Sequence, residues 1–141
     1  DVDATTALRR VARDEAEDDI VRHEAVEALA ALEDSEAKSL LSELLQESTS
    51  ETLRHTCELA LAGLKKDAEA ERHPVCVCQF TSKDPAPGWA EATEQDVHAA
   101  GALLADAERP LFERYRGLFT LRNVGGPQAA EALASMLRED T

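Results

Sequence analysis

His23 and Glu24 are the pair in this 141-residue chain whose types could do chemistry. An imidazole nitrogen beside a carboxylate oxygen is the kind of pair a metal ion uses; the plainer reading is a surface histidine and a glutamate favoured at a helix start. Adjacent residues on a helix point about 100° apart, so the pair alone is expected to close poorly around an ion. Glu27 follows His23 at i+4, on one face with it. His55 occupies a similar setting but is followed by Thr56, and is read as structural. Cys76 and Cys78, with His73 nearby, hint at zinc, yet no further ligands lie at the usual spacing. Arg114, Arg116 and Arg122 are interleaved with Tyr115 and Phe119. That pattern could suit nucleic acid, but the surrounding charge opposes it. His98 stands on a polar helix face and receives no role.

The elements that must position these residues repeat. The run Ile20–Leu32 recurs 32 residues later as Thr52–Leu64, with Arg22 on Arg54, His23 on His55, Ala28 on Ala60, Leu29 on Leu61 and Leu32 on Leu64. A weaker copy appears at a shift of 92, where His23 falls on Tyr115, Glu24 on Arg116 and Leu29 on Leu121. A self-similar helical unit of this length predicts an all-α solenoid. The scaffold repeats, whereas the His-Glu pair occurs once.

Apolar spacing predicts helices over Ala4–Glu17, Ile20–Leu32, Glu36–Gln46, Thr52–Lys66, Glu94–Leu104, Leu111–Asn123 and Gln128–Arg138. Asp18-Asp19 reads as a turn and N-cap, and Glu33-Asp34-Ser35 as a break that caps the next helix. The second helix is expected to bury Val21, Ala25, Ala28, Leu29 and Leu32. The last is expected to turn Ala132, Leu133, Met136 and Leu137 inward, and Pro110 suits a first helical turn. Residues 1–66 read as one set of repeats, 67–92 as a linker and 93–141 as the start of a second set. The linker reading rests on charge, a short run Val75–Phe80 able to extend, and Asp84-Pro85-Ala86-Pro87-Gly88. The chain opens on the first helix of a pair and closes on an unpaired one, so it reads as an internal fragment of a longer chain.

Composition narrows the classes. Aromatic residues are 4%, which disfavours a β-sandwich and favours close-packed helices. Fifteen basic and 29 acidic residues give a net charge of −14. Such a surface repels nucleic acid and anionic membranes and favours cationic partners. Three cysteines give no disulfide framework and point to a reducing, cytoplasmic setting. No apolar run is long enough to span a bilayer.

Three stretches together resemble the deoxyhypusine hydroxylases. They are Val21-Arg22-His23-Glu24-Ala25 with Glu27-Ala28-Leu29, then Asp84-Pro85-Ala86-Pro87, then Pro110 to Gly126. The resemblance implies a HEAT-repeat protein of two similar halves joined by a linker. It implies four His-Glu pairs holding a non-haem di-iron centre. It also implies the use of dioxygen to hydroxylate deoxyhypusine on a translation initiation factor, which completes hypusine. By that resemblance His23 and Glu24 are metal ligands, the second pair of the N-terminal half. The first pair would precede Asp1 and the other two would follow Thr141. This chain alone is then expected to be inactive and empty of iron. A rival reading is a non-catalytic HEAT-repeat scaffold that binds a partner along its helical face.

Overall fold

The computed structural model describes residues 2–32, 36–69 and 84–139. It divides into two compact units, Asp1–Glu71 and Arg72–Thr141. The described residues form seven α-helices and no strand. The expected all-α reading therefore holds over them.

The first unit holds α1 (Val2–Arg13), α2 (Asp19–Ala31), α3 (Ala37–Glu47) and α4 (Glu51–Glu69). α1 packs on α2, α3 on α4, and α2 on α4. This is the nearest-neighbour stacking of a solenoid. α1 stops at Arg13 rather than running to Glu17. The reason is Asp14, whose Oδ1 accepts from Ala16 N at 3.0 Å and turns the chain out of the helix. Asp18 then caps α2 as expected, accepting from Ile20 N at 2.8 Å. Ser50 similarly accepts from Leu53 N at 3.3 Å near the start of α4. The expected cap at Glu33-Asp34-Ser35 lies outside the described residues.

The core of this unit is built from Leu29, Leu40, Leu41, Leu53, Val26 and Cys57, each almost fully buried. The inward face of α2 differs from the expected one. Arg22, Ala25, Val26 and Leu29 are buried, whereas Val21 is 43% and Leu32 54% exposed. α2 is apolar on several sides, so spacing fits two rotations of the helix. The structure takes the one that buries Arg22, because the arginine stem is apolar and its head finds partners.

The second unit holds a 3₁₀ turn (Glu94–Asp96), α5 (Val97–Ala105), α6 (Leu111–Val124) and α7 (Gly126–Glu139). A capping box opens it: Thr93 N donates to Asp96 Oδ2 at 2.8 Å, and Gln95 N donates to Thr93 Oγ1 at 3.3 Å. Pro110 precedes α6 instead of sitting in its first turn, and its carbonyl accepts from Glu113 N and Arg114 N. α5 and α6 approach closely at Gly117, where an added Cβ would lie 2.7 Å from the Ala100 carbonyl oxygen. Gly125 and Gly126, with φ of 69° and 79°, make the sharp joint into α7. Leu137, expected to face inward, is 79% exposed.

Part of the stretch expected to link the halves is firmly seated. Ala86 is fully buried, and Trp89 N donates to Thr120 Oγ1 at 2.8 Å. Gly88 lies so close to the α6 backbone that a Cβ would meet Thr120 N at 2.9 Å. Asp84 receives both Nη atoms of Arg122 at 2.9 and 2.6 Å. Cys76, Cys78, His73 and the run Val75–Phe80 lie outside the described residues.

Candidate metal centre

The first turn of α2 is fixed from both sides. Asp18 caps it, and Arg22, 7% exposed, reaches back across α1. Arg22 Nε donates to the Ala12 carbonyl oxygen at 3.2 Å, and its Nη1 lies 3.5 Å from Asp19 Oδ1. With Arg22, Ala25 and Val26 turned inward, His23, Glu24 and Glu27 are left along the rim. Their side chains are 24%, 69% and 44% exposed, so the histidine is the most sheltered of the three.

The three groups converge. His23 Nδ1 lies 3.6 Å from Glu24 Oε1, and His23 Nε2 lies 3.5 Å from Glu27 Oε1. One ligand atom from each falls within 4.8 Å of the others. The expectation that neighbours at i and i+1 diverge too far is therefore corrected. The backbone directions do diverge, but the two methylenes of Glu24 give its carboxylate the reach to return to the ring. Among the described residues no other group of three such side chains is drawn together.

One atom stands out. His23 Nδ1 is buried and has no hydrogen-bond partner. A buried polar atom left unpaired costs about 1–3 kcal/mol unless something outside the polypeptide satisfies it. An imidazole lone pair beside a carboxylate oxygen, here Nδ1 beside Glu24 Oε1, is a donor set that iron and related divalent metals accept. The residues thus fit a metal of that kind.

The matching places in the repeat differ. His55 is 55% exposed with Nε2 3.8 Å from Glu51 Oε1, and Thr56 turns inward and donates to the Thr52 carbonyl at 2.9 Å. At the second match, Tyr115 meets Phe119 in a tilted pair with ring centroids 6.3 Å apart. Arg116 there donates through Nε to the Pro87 carbonyl at 3.1 Å. Arg114 Nε donates to the Leu104 carbonyl at 3.0 Å, and Arg122 holds Asp84 while lying 4.7 Å over the Phe119 ring. The arginine cluster is thus spent on the fold. His98 is exposed on α5. Arg22 is the positioning residue that sequence reading passed over. Its signal was an arginine at both 22 and 114, the same shift of 92 that relates the repeats.

Comparison with known proteins decides the family. A family model of HEAT repeats matches residues 1–62. Deoxyhypusine hydroxylase of Mus musculus is 41% identical over 138 residues, and that of Gallus gallus 42% over 135. These alignments take in 98% and 96% of this chain and 44% of each relative. The structure of human deoxyhypusine hydroxylase in complex with glycerol superposes with a TM-score of 0.87 at 40% identity. It covers 98% of this chain and 46% of that one. The chain belongs to the deoxyhypusine hydroxylase family. It spans a little under half the length of the curated relatives it matches. In this deoxyhypusine hydroxylase family member, the stretch Pro110 to Gly126 that carries much of the resemblance is α6 with its two flanking joints. No helix of the described residues is long and apolar enough to cross a membrane.

Proposed function

We propose that this chain supplies one His-Glu ligand pair, His23 with Glu24, to an iron-dependent deoxyhypusine monooxygenase acting in the cytoplasm. The observation that supports this most is the buried, unpartnered Nδ1 of His23 beside the Glu24 carboxylate. Bound iron would supply the activation of dioxygen for hydroxylation. The chain's own residues do the holding. His23 offers a lone pair from a sheltered ring, and Glu24 offers a charged oxygen from the exposed side. Arg22 and Asp18 fix the backbone of the first turn of α2 from which both ligands project. The net charge of −14 draws in a basic partner, and a deoxyhypusine side chain on a translation initiation factor is such a partner.

One histidine and its neighbouring carboxylates cannot fill the coordination of two irons. His23-Glu24 is the sole His-Glu dipeptide in the sequence. The remaining ligands of a di-iron centre must come from outside these 141 residues, and the chain alone should hold iron weakly and have no activity. The test joins these residues to the rest of a family-length polypeptide and compares His23→Ala with the parent. Iron content and hydroxylation of a deoxyhypusine-bearing initiation factor should fall together, with Tm nearly unchanged. Full iron and full activity in His23→Ala would remove this residue from the ligand set and favour the scaffold reading.

A further inference from the structure

Glu27 faces the other side of the His23 ring. A neutral imidazole carries a proton on one nitrogen and a lone pair on the other, and the partner of the protonated nitrogen sets which is which. An ionised carboxylate can only accept. Glu27 Oε1 lies 3.5 Å from Nε2, one small side-chain rotation from a hydrogen bond. The two residues stand at i and i+4 on α2, where side chains are neighbours by helix geometry. Among the described residues no arginine or lysine pairs with Glu27, so its carboxylate is not drawn elsewhere. On the opposite side, Nδ1 is buried without a partner and faces Glu24.

We infer that Glu27 is a positioning residue: it holds the proton of His23 on Nε2 and thereby presents the Nδ1 lone pair on the Glu24 side. The inference rests on the reading of His23 and Glu24 as a ligand pair, because a metal shared with Glu24 requires the lone pair on Nδ1. Outer carboxylates of this kind fix the ring orientation of a metal-binding histidine and raise its basicity. Glu27 need not touch the metal.

The experiment uses this chain without metal, labelled with ¹⁵N in its imidazoles, at a pH where His23 is neutral. Long-range proton–nitrogen correlations read the tautomer directly. The expected result is a predominantly Nε2-protonated His23. Glu27→Gln, whose amide oxygen can still accept, should preserve that preference. Glu27→Ala should give a mixture of tautomers with the helix unchanged by circular dichroism. A merely structural role for Glu27 would not move this signal. A predominantly Nδ1-protonated ring in the unmodified chain overturns the inference, and so does an unchanged tautomer in Glu27→Ala. Cobalt(II) titration of the same samples separates this from the underlying reading. Signals of His23 and Glu24 should respond before those of His55, and Glu27→Ala should weaken that response about 10-fold or more. Cobalt that prefers His55, or no histidine, would sink the ligand-pair reading itself, whatever the tautomer.

Discussion

Arg22 and Arg114 make the same hydrogen bond in two different units. Each donates its Nε to a carbonyl oxygen ten residues earlier, that of Ala12 at 3.2 Å and that of Leu104 at 3.0 Å. Each thereby ties the start of one helix to the end of the helix before it. The residue after Arg22 is His23, and the residue after Arg114 is Tyr115. The clasp is shared by α2 and α6 but not by the exposed Arg54 on α4, and the position that follows it differs between the two units.

Arg22→Ala removes a buried donor and an apolar stem together. It should destabilise the first unit by about 2–4 kcal/mol, because the Ala12 carbonyl loses its side-chain partner and the stem leaves a gap. Arg22→Met keeps the stem and should cost roughly half as much. Chemical denaturation of the two variants checks the ordering. Equal losses would show that the hydrogen bond alone matters and that the packing of the stem adds nothing.

Gly117→Ala and Gly125→Ala should both destabilise the second unit, for different reasons. At Gly117 the new Cβ would sit 2.7 Å from the Ala100 carbonyl oxygen and 3.2 Å from Leu104 N, both backbone atoms. Forcing α5 and α6 apart should cost about 1–3 kcal/mol. At Gly125 there is open space, and the penalty is the backbone: φ 69° with ψ −160° is a conformation essentially confined to glycine, about 1–3 kcal/mol. Thermal melts followed by circular dichroism check both, and an unchanged Tm in Gly117→Ala would contradict the close crossing.

Asp84 is 6% exposed at its side chain and receives Arg122 on both carboxylate oxygens. Asp84→Asn should weaken the seat of the segment 84–89 by about 1–3 kcal/mol, since a guanidinium loses its counter-charge. Trp89 is the chain's one tryptophan and lies at the end of that segment. Its fluorescence should shift red at denaturant concentrations where the helical signal is still intact. A fluorescence transition that coincides with the helical one would mean that the segment and the helices give way together.

The Cys57 thiol is buried on α4 and pushed up from 9.0 to about 11 by loss of solvation, with the nearby Arg22 guanidinium opposing the shift. Its folded value exceeds its unfolded one. The contribution to stability is therefore complete below about pH 9 and is lost as pH rises towards 11. A shift of that size corresponds to at most about 3 kcal/mol. Stability measured from pH 8 to 11 should fall less steeply in Cys57→Ala than in the unmodified chain. Parallel slopes would show that the thiol is not the group responsible.

Much of this was legible in the residues themselves. The repeat offsets of 32 and 92 were readable because each helix pair must reuse one packing solution, and Asp18 announced its cap through its type and place. The rotation of α2 was harder to see. Val21 and Leu32 look as apolar as Val26 and Leu29, and the deciding residue is a charged one, Arg22, whose partner is a backbone carbonyl with no sequence signature. The end of α1 at Arg13 depends on an Asp14 side chain competing with the helix for the chain's own amides. At the candidate site, a spacing of one residue argued against convergence, since spacing describes Cβ directions and not the reach of a glutamate. The seating of Asp84–Trp89 on α6 was hidden for a different reason: prolines mark where a helix cannot run, not where an extended segment will dock.

The clasp of Arg22 on Ala12 also bears on the order of assembly. The Asp18 cap, the Arg22–Ala12 bond and the Glu27 carboxylate one turn on, the groups around His23, all lie between Ala12 and Glu27. Contacts that close such short loops form early and quickly in a helical chain. The proposed ligand pair is therefore in place once α1 and α2 have met, without waiting for an ion. Small zinc modules work the other way, because there the metal supplies the folding free energy. If His23 and Glu24 hold a metal as proposed, a chelator would remove it and leave the helices standing, and reloading would need no refolding.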